Sequence, residues 1–234
     1  IAAACRKGDV AALIVEPLIL GAGGMLVYGA DTLAAMARIV REHGALLIAD
    51  EVMTGWGRTG TLFACEQAGV SPDIMCVAKG ITGGLLPLAA TLATSEVFQA
   101  HFGEDRRRTF FHSSSYTANP VACAAALANC EVWQSEPVIE RVAKLAGMQR
   151  ERLDDLTVDA DFANPRQLGT ITAVDLVVPD AGYLADIGPR LYAFFMSRDV
   201  LLRPLGNTIY VMPPYCIEAD ALDRVYDAIH DAAD

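Results

Sequence analysis

No apolar run in the sequence approaches the roughly 20 residues that a membrane-spanning helix needs. Its apolar residues come in short stretches broken by charges, and a membrane role is not expected. Positive charge is scarce: 18 Lys and Arg stand against 29 Asp and Glu, a formal net charge of −11, which would repel a phosphate backbone. The one basic run, Arg106-Arg107-Arg108, follows Glu104 and Asp105, so nucleic-acid binding is not expected either. The six cysteines (Cys5, Cys65, Cys76, Cys123, Cys130, Cys216) form no CxxC pair and no metal-ligand spacing. With no legible signal peptide, they read as reduced thiols of a cytoplasmic protein, and no metal site is expected. Internal repeats and low-complexity segments are missing, and nothing around His112 suggests a Ser-His-Asp triad.

What is present is core material: 53% hydrophobic residues over 234 positions suffice for one large domain or two modest ones. Residues 13–15 predict a strand ended by Glu16-Pro17, and the glycines of 21–24 predict a loop. Asp31 is a candidate N-cap for a helix carrying Leu33, Met36, Ala37 and Val40 at helical spacing, with Gly44 as its C′ residue. Residues 45–49 are a wholly apolar strand, and similar runs recur at 74–77 and 88–92. Strands without in/out polarity, alternating with helices, indicate an α/β protein whose mostly parallel sheet is covered on both faces. Helices are predicted at 120–133 and 138–156, and the second marks the passage between a unit at 1–137 and a unit at 138–234. The latter predicts strands at 170–177, 200–203 and 208–212 with helices at 185–197 and from Glu218, a small α+β domain. The chain opens at Ile1 and enters a buried strand almost at once, so it is expected to begin inside something larger.

Open parallel sheets place ligands at the carboxyl ends of their strands. The polar residues ending the apolar runs are Glu16, Asp50 with Glu51, and Lys79. A buried carboxylate at Asp50 needs a cation or several hydrogen bonds; a protonated ring nitrogen would serve, and so would the N–H groups of the following turn. Lys79 emerges from an apolar strand into Gly80-Ile81-Thr82-Gly83-Gly84, a setting suited to a nucleophilic amine, although composition alone makes it a solvent-facing lysine. Residues 55–60 match G-x-G-x-x-G, but they follow the strand at a distance and precede a poor helix start. His112-Ser113-Ser114-Ser115-Tyr116 precedes a helix and offers hydroxyl and N–H groups to a phosphate; such loops are more often merely polar. Arg203, after Leu201-Leu202, suits bidentate binding of a carboxylate, and Tyr210 lies on a strand; a surface ion pair and core packing are the simpler readings.

In combination these motifs are far more specific. Val15-Glu16-Pro17, residues 47–52 with Thr54-Gly55-Trp56-Gly57-Arg58-Thr59-Gly60, Pro72-Asp73-Ile74 with Lys79-Gly80, and Asn119-Pro120 occur in the order seen in class III pyridoxal-phosphate-dependent aminotransferases. The resemblance covers essentially the whole chain. Arg203-Pro204 followed by residues 209–215, together with 62–66 and Ala122-Cys123-Ala124-Ala125, is similar to the branch of that family serving biotin synthesis. The resemblance implies PLP-transferase fold type I, with part of the large cofactor-binding domain (1–137) and a C-terminal small domain (138–234). It implies a homodimer and an amino transfer from S-adenosylmethionine to 8-amino-7-oxononanoate. It further implies that Lys79 forms the Schiff base to pyridoxal 5′-phosphate, that Asp50 pairs with the pyridinium nitrogen and that Val52 packs on the ring. Ser114 and Ser115 fall where the family contacts the cofactor phosphate from the neighbouring subunit, and Ser113 stands where close relatives have glycine, near the substrate. Arg203 and Tyr210 match substrate-binding positions, and Glu16 lies near the cofactor. Met53 departs from the glutamine of many members, as does the biotin branch. Family members are about twice as long, and the half not represented normally supplies a Gly-Ser phosphate loop and an aromatic stacked on the cofactor, so a complete site is not expected here. A broad ω-amino-acid or diamine aminotransferase, and an inactive dimerisation module, remain alternatives.

Overall fold

The computed structural model describes residues 1–112 and 114–233. Contacts divide it into two compact units, one of residues 1–17, 29–56 and 63–136, the other of 18–28, 57–62 and 137–234.

The first unit opens with one helical turn, α1 (Ala2–Cys5), and strand β1 (Ala12–Val15). The chain then lends a hairpin, β2 (Ile19–Leu20) and β3 (Leu26–Val27), to the second unit before α2 (Ala30–Glu42). α2 buries Leu33, Ala37 and Val40, the spacing of one helical face. Its N-cap is Gly29, and Asp31 sits instead in the first turn, where its charge still complements the helix dipole. Gly44 has φ +72° and donates its N–H to the Arg41 carbonyl, a left-handed stop that a Cβ would disfavour.

β4 (Leu46–Asp50), β5 (Ile74–Val77) and β6 (Ala90–Ala93) complete a sheet of order β1-β4-β5-β6. β1, β4 and β5 are parallel, whereas β6 runs antiparallel to β5. The link from β5 to β6 contains a single 3₁₀ turn, Lys79–Thr82, and no helix able to carry a parallel crossover. α3 (Ser95–His101) and α4 (Pro120–Ser135) follow. α4 begins where it does because Asn119 Oδ1 accepts the N–H groups of Val121 at 3.0 Å and Ala122 at 3.2 Å, with Pro120 pre-set for the first turn. The basic run before it is engaged locally: Arg107 pairs with Asp105, and Arg108 donates to the carbonyls of Gln99 and Ala100.

The second unit packs α5 (Val138–Leu156), α6 (Ile187–Met196) and α7 (Ala219–His230) with an antiparallel sheet of β7 (Phe162–Leu168), β8 (Ile171–Leu176) and β9 (Thr208–Val211), order β7-β8-β9. Its core includes Leu153, Val174, Phe195, Ile209 and Leu222; burial of each such side chain stabilises by about 1.5–3 kcal/mol. A buried polar network joins the layers: Tyr226 of α7 bonds Thr172 of β8 at 2.7 Å and Gln149 of α5 at 3.1 Å. Arg166 of β7 donates to the carbonyls of Gly24 and Met25 and to Asp175, fastening the β2–β3 hairpin to the sheet. The extended residues 200–203 form no ladder. Among the described residues, no helix is long and apolar enough to cross a membrane.

Candidate active site

Because β1, β4 and β5 are parallel, their carboxyl ends share one edge of the first unit's sheet. Val15 registers with Ala49 and Asp50 with Cys76, which brings Glu16, Asp50 and, three residues past Cys76, Lys79 to that edge. Asp50 is half-buried; its Oδ1 accepts the Val52 N–H at 3.1 Å, and no other hydrogen bond or ion pair reaches the carboxylate among the described residues. Lys79 is exposed, with no hydrogen bond or ion pair to its amine among the described residues.

The turn bearing Lys79 is held from two sides. Gly80 lies so close to Trp56 that a Cβ there would sit 2.5 Å from the Trp56 Cβ, so glycine is required by close approach. Asn129 of α4 donates its amide to the carbonyls of Gly80 at 2.9 Å and Ile81 at 3.3 Å. Trp56 meets Phe63 and Trp133 edge-on, centroids 6.1 and 6.0 Å apart. Glu51, next to Asp50, is fully buried; it accepts the Thr54 hydroxyl and the N–H groups of Ala64 at 3.1 Å and Cys65 at 2.9 Å. Burial, reinforced by the Glu51 carboxylate, pushes the Cys65 thiol up to about 12, so it stays protonated. Glu51 was legible in the sequence as a polar strand end but without a role, and Asn129 was not singled out. The available signals were an acid paired with Asp50 at a strand end and a lone amide in an alanine-rich helix.

The G-x-G-x-x-G segment is a series of turns leading to a five-residue 3₁₀ helix, Ala64–Ala68, rather than the helix a dinucleotide loop feeds. Ser114 and Ser115 are exposed in the turn ahead of α4, with the Ser114 N–H on Thr117 Oγ1 at 3.0 Å and its Oγ accepting from Tyr116 N–H at 3.3 Å. Ser113 lies outside the described residues.

Two predicted residues belong to the second unit. Arg203 is exposed and lines a cavity of about 420 Å³ with Tyr183, Asp186 and Tyr192. Tyr210, half-buried on β9, registers with Ala173. A separate cavity of about 400 Å³ contains Arg166 and Asp175. Partial burial opposes ionisation of Asp175, but hydrogen bonds from Arg166, Thr208 and Asn164 outweigh it and hold the carboxyl below the usual range. With its guanidinium already on three carbonyls and Asp175, Arg166 acts as a clamp.

A carboxylate and an amine at the ends of neighbouring parallel strands, both open to a further partner, define an α/β protein with a small-ligand site at its strand ends. Residues 2–233 match the family described as aminotransferase class-III. Over 234 residues the chain is 45% identical to the adenosylmethionine-8-amino-7-oxononanoate aminotransferase of Synechococcus elongatus, covering 99% of this chain and 54% of that protein. It is similar in structure to the enzyme of that name from Methanocaldococcus jannaschii, with TM-score 0.85, 33% identity, and 93% of this chain and 53% of that one covered. An (S)-enantioselective omega-transaminase from Thermomicrobium roseum gives TM-score 0.88 and 34% identity, with 97% and 52% covered. The chain belongs to the class-III aminotransferases, a pyridoxal-phosphate-dependent family, and it spans about half the length of the curated relatives it matches.

Proposed function

We propose that the protein is an aminotransferase of biotin synthesis, moving an amino group from S-adenosylmethionine to 8-amino-7-oxononanoate to give 7,8-diaminononanoate, as a cytoplasmic homodimer. The carrying observation is the strand-end pair, Asp50 with one N–H partner and Lys79 with none among the described residues. These residues fit pyridoxal 5′-phosphate, because a half-buried carboxylate with open acceptor capacity suits a cationic ring nitrogen and a free amine suits an aldehyde. When bound, the cofactor supplies an electron sink for the carbon that loses its proton. Asp50 would hold the proton at the ring nitrogen, Val52 would pack on the ring, and Ser114 and Ser115 would contact the phosphate. Lys79 Nζ would anchor the cofactor covalently and, once displaced by the incoming amine, move the proton at the substrate carbon. Arg203 would bind a substrate carboxylate bidentately, and Tyr210 and Ser113 would line the substrate.

On this reading residues 1–137 are the C-terminal part of the large cofactor-binding domain and 138–234 the small domain. Exposed Phe102, Phe110, Phe111 and Tyr116 support burial of that segment against another body, such as a second subunit. The assignment to biotin synthesis is supported by the S. elongatus relative. The likeness to an omega-transaminase favours a second reading, a broad ω-amine enzyme. Incubation of the full-length protein with S-adenosylmethionine and 8-amino-7-oxononanoate tests them: the diamine is expected, and its absence while simple ω-amines react would select the second.

A further inference from the structure

Glu51 is fully buried, and the reaction proposed above does not use it. A carboxylate withdrawn from water needs strong hydrogen bonds in return, and all of its donors lie on the segment that leaves β4 and returns at Cys65: the Thr54 hydroxyl and the N–H groups of Ala64 and Cys65. Its peptide group is tied as well, N–H to the Cys76 carbonyl at 2.9 Å and carbonyl to the Gly55 N–H at 3.0 Å. Trp56 falls between these anchors, with its side chain against Gly80. Trp56 at φ +59° and Lys79 at φ +47° both occupy the left-handed region that bulky residues avoid, a conformation that persists only where the surroundings enforce it.

We propose that Glu51 is a positioning residue for Lys79: its buried carboxylate fixes Trp56, and Trp56 seats the Gly80 turn that presents the lysine at the strand ends. Its consequence for cofactor binding rests on the functional reading above. Glutamine at this position would turn an amide N–H₂ toward donors on one side or the other, leaving a buried N–H without its acceptor.

Trp56 and Trp133 both stand in this seat, so the part of the emission that Trp56→Phe and Trp133→Phe remove reads it without cofactor. The test compares Glu51→Gln, Thr54→Val, which deletes one hydroxyl, and Thr54→Ser, which keeps it. Acrylamide quenching and pyridoxal-phosphate titration are measured on the full-length protein, well below melting. Glu51→Gln and Thr54→Val are expected to raise quenching and weaken cofactor binding by about tenfold, with Thr54→Ser restoring both. Should Glu51→Gln not fold, Thr54→Val against Thr54→Ser decides. A lower melting temperature with wild-type quenching and cofactor affinity overturns the inference. A wild-type protein that takes up no pyridoxal phosphate overturns the functional reading instead, and quenching alone then decides whether Glu51 seats Trp56.

Discussion

Asp50 and Glu51 follow one another at the end of β4, and their environments differ because successive side chains of an extended chain point to opposite sides. Glu51 ends among three donors in the interior, while Asp50 keeps one N–H and open acceptor capacity. The same local chemistry governs the neighbouring thiol. With Cys65 buried and held protonated beside Glu51, a maleimide reaction at neutral pH is expected to label exposed Cys123 and Cys216 and spare Cys65; rapid labelling of Cys65, read by peptide mapping, would contradict its burial. Gly80→Ala places a methyl 2.5 Å from the Trp56 Cβ, an overpacking expected to cost about 1–3 kcal/mol in denaturant unfolding.

At the scale of elements, capping and clamping residues set where the chain turns. Asn119→Ala removes the acceptor for two N–H groups at the start of α4 and is expected to lower stability by about 1 kcal/mol, measured by urea unfolding. Arg166→Met removes the side-chain donor to the Gly24 and Met25 carbonyls and leaves Asp175 with Thr208 and Asn164 alone; a loss of about 2 kcal/mol is expected, with faster amide exchange in the β2–β3 hairpin. The parallel strands and the longer helices were legible in sequence because apolar runs of period one and stripes of period 3.6 carry that information locally. β7 was not: Asn164 at φ +52° and Pro165 interrupt the strand, and its register slips between Ala163 and Arg166, so no alternation survives. Residues 200–203 failed in the other direction, because an apolar run without a neighbouring strand to pair with is extended chain only. Asp50, Glu51 and Lys79 could be located from the polar ends of apolar runs, whereas the roles of Glu51 and Asn129 depend on burial and contacts across 14 and 49 positions, which no local window displays.

For the whole molecule, pH dependence follows from groups in both units. The Asp175 carboxyl is lowered in the folded state, so its stabilisation is present above the ordinary aspartate value and is lost as pH falls below 3.8. Burial pushes Tyr226 up to about 12 from 10.0, and Cys65 up to about 12 from 9.0. Their neutral forms favour the fold, and that contribution is complete below 9 and lost as pH rises toward 12. Melting temperature is therefore expected to decline on the alkaline side beginning near pH 9, and Tyr226→Phe should flatten the part above pH 10. Cofactor attachment turns on Lys79. Covalent capture tests it: the full-length protein is mixed with equimolar pyridoxal 5′-phosphate, reduced with borohydride, digested and mapped by mass spectrometry. A phosphopyridoxyl group is expected on the Lys79 peptide and absent in Lys79→Ala; label spread over other lysines, or undiminished in Lys79→Ala, rules Lys79 out as the cofactor's anchor.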